Sequence, residues 1–169
     1  MKRLIFFLFP AIFIACSDGD LQIETIDFDA EEVQFCGTTA TTATTIFFKI
    51  SSDEALILKL QNGLLKNEAS AGTLSSTVPG QSQLTYRIFS GNVDKDYFCG
   101  DIPPGTPVVN EEIEASAGEV LITTVRSASD TTAFEHNIQL SGISLVNEQG
   151  ERITDLSIND FGTITTVSN

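Results

Sequence analysis

From residue 21 onward, short apolar runs separated by turn residues dominate the chain, and most of them alternate with period two. Residues 45–51 (TIFFKIS) and 54–60 (EALILKL) flank Ser52 and Asp53, the pattern of two strands joined by a tight hairpin turn. In the second run Leu56, Leu58 and Leu60 share one side and Ala55, Ile57 and Lys59 the other, so one face is largely apolar. Residues 83–90 set Leu84, Tyr86 and Ile88 against Thr85, Arg87 and Phe89. Residues 119–126 set Val120, Ile122 and Thr124 against Leu121, Thr123 and Val125. The longest extended stretch is 134–146, with Phe134, His136, Ile138 and Leu140 on one side before the parity switches to Ile143 and Leu145. Gly142 sits at the switch, where a β-bulge or a bend between sheets costs least. Glu148, Gln149 and Gly150 predict a tight hairpin into Arg152 and Ile153, with Gly150 supplying positive φ. Residues 161–167 predict a last strand, and Leu21, Ile23, Ile26 and Phe28 alternate in two phases, as a first strand with a bulge would.

Three stretches read as loops. Residues 37–44 (GTTATTAT) are biased toward small and Thr residues, residues 69–82 are small and polar with Pro79-Gly80 marking a turn, and residues 101–107 hold three of the five prolines. About nine short strands at this spacing predict an all-β fold, an antiparallel β-sandwich, with a small barrel as the alternative.

The N-terminus differs from the rest. Lys2 and Arg3 precede an apolar run ending at Ala15, about twelve residues long. Spanning a bilayer as a helix takes roughly 20, so residues 1–15 read as a secretory leader. Phe13-Ile14-Ala15-Cys16 resembles the lipobox of bacterial lipoproteins, in which the Cys is acylated and becomes the mature N-terminus. It departs from the usual pattern at Phe13, where Leu is common, and at Ile14, where a small residue is common. Ser17, Asp18, Gly19 and Asp20 resemble the acidic tag of surface-exported lipoproteins of Bacteroidota. The resemblance implies lipidation at Cys16 and a place on the outer membrane, exposed at the cell surface. Residues 16–20 would then be the lipidated tether and residues 21–169 a single β-sandwich domain. Two or three acyl chains anchor firmly, since each buried CH₂ is worth about 0.8 kcal/mol.

Charge narrows the partners. Among 169 residues, 23 acids face 9 bases, a formal −14. That excludes a general nucleic-acid binder, because phosphate backbones need a basic footprint. With one His and three Cys, zinc sites of the common spacings are excluded as well. Loss of the leader removes Lys2 and Arg3 and deepens the negative charge, so the ectodomain is repelled by anionic lipid and stands off the surface on its tether.

With Cys16 lipidated, Cys36 and Cys99 form an even remainder, which in an oxidising compartment favours a disulfide. Their separation, with Tyr97 two residues before Cys99, resembles the pattern of immunoglobulin domains and implies an immunoglobulin-like architecture. No Trp exists to pack on the bridge, and seventy residues follow Cys99 where such a domain should be ending.

The chemistry is sparse. His136 is the only imidazole, it alternates with Phe134 and Ile138, and no G-x-S-x-G occurs; it reads as a half-buried strand residue. Carboxylate pairs can hydrolyse glycosides, yet the aromatic platform for sugars is poorly supplied, with no Trp and only Tyr86 and Tyr97. Calcium would take oxygen ligands, and its candidates are Asp27, Asp29, Glu31 and Glu32, or Asp94, Asp96 and Asp101; no EF-hand spacing is present. Neither phosphate-binding glycine loop appears. Residues 100–105 (GDIPPG) read as a stiff crossover between sheets or as a rigid loop presented to a partner.

The expectation is therefore a non-catalytic, lipid-anchored surface protein acting by binding or as a structural component, without cofactor or metal. Its partners would be the membrane, through the lipid, and a protein at the cell surface. The alternatives are a carboxylate-dependent glycan hydrolase and a calcium-stabilised adhesion or assembly module.

Overall fold

The computed structural model describes residues 26–147, 150, 152–153 and 160–168. The leader, Cys16, the acidic tag from Ser17 to Asp20, and Leu21 and Ile23 lie outside the described residues, as do Glu148 and Gln149 of the expected turn. The elements are β1 (Ile46–Ser51), β2 (Glu54–Lys59), β3 (Leu74–Thr77), β4 (Gln83–Phe89), α1 (Lys95–Cys99), β5 (Val109–Arg126), β6 (Ala133–Val146), β7 (Arg152–Ile153) and β8 (Asp160–Val167). Every strand pairing is antiparallel, in the order β1-β2-β4-β5-β6, with β3 on β5 and both β7 and β8 on β6. The all-β antiparallel expectation holds, as one curled sheet that makes a half-barrel.

Local sequence explains most of this. Ser52 and Asp53 form a two-residue turn, Ser52 taking a φ of 55°, and Ser51 pairs with Glu54 across it. Leu56, Leu58 and Leu60 are buried in the main core, as their alternation predicts. So are Val120 and Ile122 of β5, Ile138 and Leu140 of β6, and Ile143 and Leu145 after the parity switch. Gly150 has a φ of 81° where β6 turns back to β7.

The curl is made in β5. Its first part pairs with β4, residues 119–122 pair with β3, and β6 follows from Ala115 to Arg126. The register slips between Ala115 and Glu119, against Gly142 on β6. Gly118 has a φ of 131°, and a Cβ there would sit 2.6 Å from Ile143 Cδ1 and 3.0 Å from its Cα. A strand that bends through a bulge can serve two parts of a sheet at once, and here it turns both toward one core.

Three expectations need correction. Residues 69–82 are not all loop, since they contain β3, whose Ser76 is buried and hydrogen-bonds Ser82 at 2.7 Å. Polar LSST hides a strand because the two serines satisfy each other. Ile26 and Phe28 are core residues without forming a strand; a turn follows, in which Asp27 Oδ1 accepts from the Asp29 N–H. The bridge Cys36–Cys99 forms, but Cys99 ends the one-turn helix α1 and Cys36 lies in a loop, so the immunoglobulin resemblance is one of spacing alone.

α1 covers the outer face of β1, β2 and β4. Phe98 stacks on Phe48 at 4.6 Å, Tyr97 meets Phe89 edge-on at 5.0 Å, and Ala55 and Val93 complete this second, smaller core. The half-barrel would otherwise be open between β1 and β8. Gln34 exchanges backbone hydrogen bonds with Phe48 on β1, and Ala40 bridges to Thr166 on β8. Residues 34–40 thus strap the two free edges together, and Cys36 pins the strap to α1.

Candidate functional site: a cavity beside the strap

Between β1, β8 and residues 29–33 lies a cavity of about 630 Å³, lined by Asp29, Glu31, Glu32, Val33, Lys49, Asp160, Gly162 and Thr163. That volume is within the range of small-molecule sites. Each wall has a local cause. Successive strand residues face opposite ways, so Phe47 and Lys49 point inward on β1 while Phe48 joins the outer aromatic stack. Gly162 has a φ of 128° and lies so close to Val33 that any Cβ would collide with it. That contact seats the 29–33 segment against β8.

The charges are graded by depth. Lys49 is only 4% exposed, whereas Asp29, Glu32 and Asp160 are exposed and Glu31 is intermediate. Among the described residues, Lys49 Nζ makes no hydrogen bond, and no carboxylate oxygen comes within 4.0 Å of it. A buried ammonium without a protein partner costs free energy that a solvated one does not. One cation therefore sits at the floor and four carboxylates at the mouth.

His136 lies elsewhere, fully buried in β6. Its Nδ1 is 2.8 Å from Thr124 Oγ1 and its Nε2 is 2.8 Å from Thr166 Oγ1. Thr166 donates its hydroxyl proton to Asn67 Oδ1 at 2.7 Å. Its oxygen must then accept from Nε2–H, and Nδ1 of the neutral ring accepts a hydrogen bond from the Thr124 hydroxyl. Burial pushes the imidazole below its ordinary value, consistent with a neutral ring held in a directed chain. A base whose two nitrogens are both engaged in the interior has none left for a substrate.

The other expected residues divide. Asp29, Glu31 and Glu32 reach the cavity mouth, where they meet Asp160, which the sequence did not single out. Asp27 holds a turn, and Asp94 caps α1 by accepting from the Asp96 N–H at 3.0 Å. Asp101 lies on the exposed proline-rich loop, where Ile102 is 85% exposed. Among the described residues, no three His, Cys, Asp or Glu side chains gather closely enough to hold a metal ion. A smaller cavity of about 280 Å³ near Ser70 and Leu74 carries Lys66 and Glu68, which already pair at 3.6 Å. No helix among the described residues is long and apolar enough to cross a membrane.

Comparison with protein-family models, with curated proteins and with solved structures returns no match. The chemistry of the cavity therefore carries the functional argument.

Lys49, like Asp160, is a residue that sequence reasoning missed. In FFKIS, Lys49 falls two residues after the core Phe47 within a run apolar on both sides. A charge on the inward parity of such a strand is the signal that would have found it.

Proposed function

We propose that the protein is a non-catalytic, lipid-anchored binding module on the outer membrane surface, and that it binds through the cavity between β1, β8 and residues 29–33. The observation that carries this is Lys49, a buried ammonium with no partner among the described residues, facing open volume. Sequences seldom keep a local conflict of this kind in a core without a functional return. Location rests on residues 1–20, and the Cys36–Cys99 bond supports an oxidising compartment. His136, engaged at both nitrogens, supports a role without acid–base chemistry.

Two measurements test the two halves. Labelled palmitate should enter the wild-type protein and not Cys16→Ser, and protease added to intact cells should digest the domain; absent label removes the anchor. A thermal-shift panel of diverse small polar molecules should yield ligands that stabilise the wild type and not Lys49→Met. A panel without a single such ligand removes the binding half.

The glycan hydrolase is the second reading, favoured by four carboxylates on one concave surface. Among the described residues no aromatic ring lines that cavity. Turnover of an oligosaccharide that is lost in Asp29→Asn or Asp160→Asn would establish it over the binding reading.

A further inference from the structure

We propose that the ligand is a small zwitterion of the amino-acid or short-peptide class, with its carboxylate on Lys49 and its ammonium among Asp29, Glu31, Glu32 and Asp160. This inference rests on the binding reading of the cavity and specifies the chemistry of its occupant. A simple anion would suit the floor but must pass four carboxylates on a chain of formal charge −14. A simple cation would suit the mouth but leaves the buried Lys49 unpaired, so its burial stays uncompensated. A neutral polyol meets neither charge, and no aromatic ring among the described lining residues offers it a stacking face.

A molecule carrying both charges satisfies both ends at once. Its carboxylate supplies the ion pair that Lys49 lacks, as a charge-assisted hydrogen bond in a partly desolvated site. Its ammonium supplies a counter-charge to the carboxylates that line the mouth. Lys49 forms no ion pair with a carboxylate of the described residues, so its charge is left for a ligand, and the cavity of about 630 Å³ has the volume for a small one. Thr163, exposed at the lining, adds a hydroxyl that can accept from or donate to a peptide group.

The experiment is calorimetric titration of the full-length protein in detergent with four probes. Dialanine keeps both charges, N-acetyl-dialanine only the carboxylate, dialanine amide only the ammonium, and maltose neither. Dialanine should bind, and each singly charged analogue should bind roughly tenfold or more weakly, the loss expected for one charge-assisted hydrogen bond. Lys49→Met should reduce dialanine binding to the level of dialanine amide. Asp29→Asn with Asp160→Asn changes only exposed positions and reads the same question if Lys49→Met misfolds; it should bring dialanine toward N-acetyl-dialanine. Equal affinity for dialanine and either analogue, or no binding of dialanine, would overturn the inference. If dialanine fails while maltose or a ligand from the thermal-shift panel binds in a Lys49-dependent way, the zwitterion is refuted and the binding reading stands. If the panel is also silent, both fall.

Discussion

Acidification should destabilise this protein through His136, in a direction and at a rate set by how the ring is held. The imidazole is fully buried and burial pushes it below its ordinary value of 6.5. In the unfolded chain the ring takes a proton near that value, while in the folded chain it stays neutral further down. The unfolded state therefore binds more protons as pH falls through about 6.5, and the stability present above it is lost toward the lowered folded value. For one proton the limiting slope is about 1.4 kcal/mol per pH unit. Protonation in place would make Nδ1 a donor toward a Thr124 hydroxyl that is itself donating to it, so the chain through Thr166 to Asn67 would have to rearrange. Among the described residues, no charged side chain bonds the ring to offset this. Its hydrogen-bond partners are Thr124 from β5 and Thr166 from β8, and Lys66 and Glu68 beside Asn67 pair with each other at the surface.

The many acids also titrate on the acid side, so the measurement is a difference. Urea unfolding of the wild type and of His136→Gln, which carries no titrating ring, would be followed from about pH 7.5 to about pH 5.5. At the neutral end Gln should cost about 2 kcal/mol, because at least one buried hydroxyl loses its partner. That advantage of the wild type should shrink as pH falls. A difference independent of pH over the whole range would refute the directed, neutral network.

Four further outcomes are expected. Gly118→Ala should cost about 2–4 kcal/mol in urea unfolding, from positive φ combined with the approach to Ile143, and a change under 0.5 kcal/mol would contradict the bend. Reduction of Cys36–Cys99, 63 residues apart, should cost about 4 kcal/mol by the loop-entropy model, and intact mass before and after alkylation should show both thiols bonded beforehand. Lys49→Met should raise stability by roughly 1 kcal/mol while weakening ligand binding about tenfold or more, the exchange expected of a residue kept for function; a destabilised variant would show that Lys49 has a structural partner. Cys16→Ser should move the protein from the membrane to the soluble fraction, and unchanged retention would end the lipid-anchor proposal.

Most legible parts of the fold were those in which one face of a strand is apolar and the other polar. β2, β4, the second half of β5, β6 and β8 read correctly because period-two alternation and burial coincide there, and β1, apolar on both faces, read correctly as the first arm of a tight hairpin. β3 did not, because its inward Ser76 is polar and buried by pairing with another serine. The first half of β5 did not either: Ile113 and Ala115 alone face the core between glutamates, and two inward residues make a weak signal. α1 is a single turn fixed by the Asp94 cap, a tertiary stack and the disulfide, none of which a periodicity of five residues could announce. The cavity was half legible. Asp29, Glu31 and Glu32 stood out as a cluster, but Lys49 and Asp160 join them only through the curl of the sheet.

That curl also explains why a cavity exists at this place. A curled sheet that stops short of closure leaves two free edges, and exposed edges invite pairing with other chains. Here Gln34 occupies β1 and Ala40 occupies β8, so seven residues close a gap that another strand would otherwise fill. An extended segment of that length reaches roughly 20 Å, enough to cross between edges but not to cover the whole gap. Beside the crossing the gap is lined instead by residues 29–33, by Lys49 of β1 and by Asp160, Gly162 and Thr163 of β8. Cys36 lies within the strap, which continues directly from residues 29–33, so the disulfide holds the far end of the segment that carries Asp29, Glu31 and Glu32 as well as stabilising the fold. Reduction should therefore weaken ligand binding under conditions where the sheet is still folded, with circular dichroism unchanged and calorimetric affinity reduced. Affinity that survives reduction intact would show that the wall from Asp29 to Val33 is held by Val33 against Gly162 and by the Gln34–Phe48 hydrogen bonds alone.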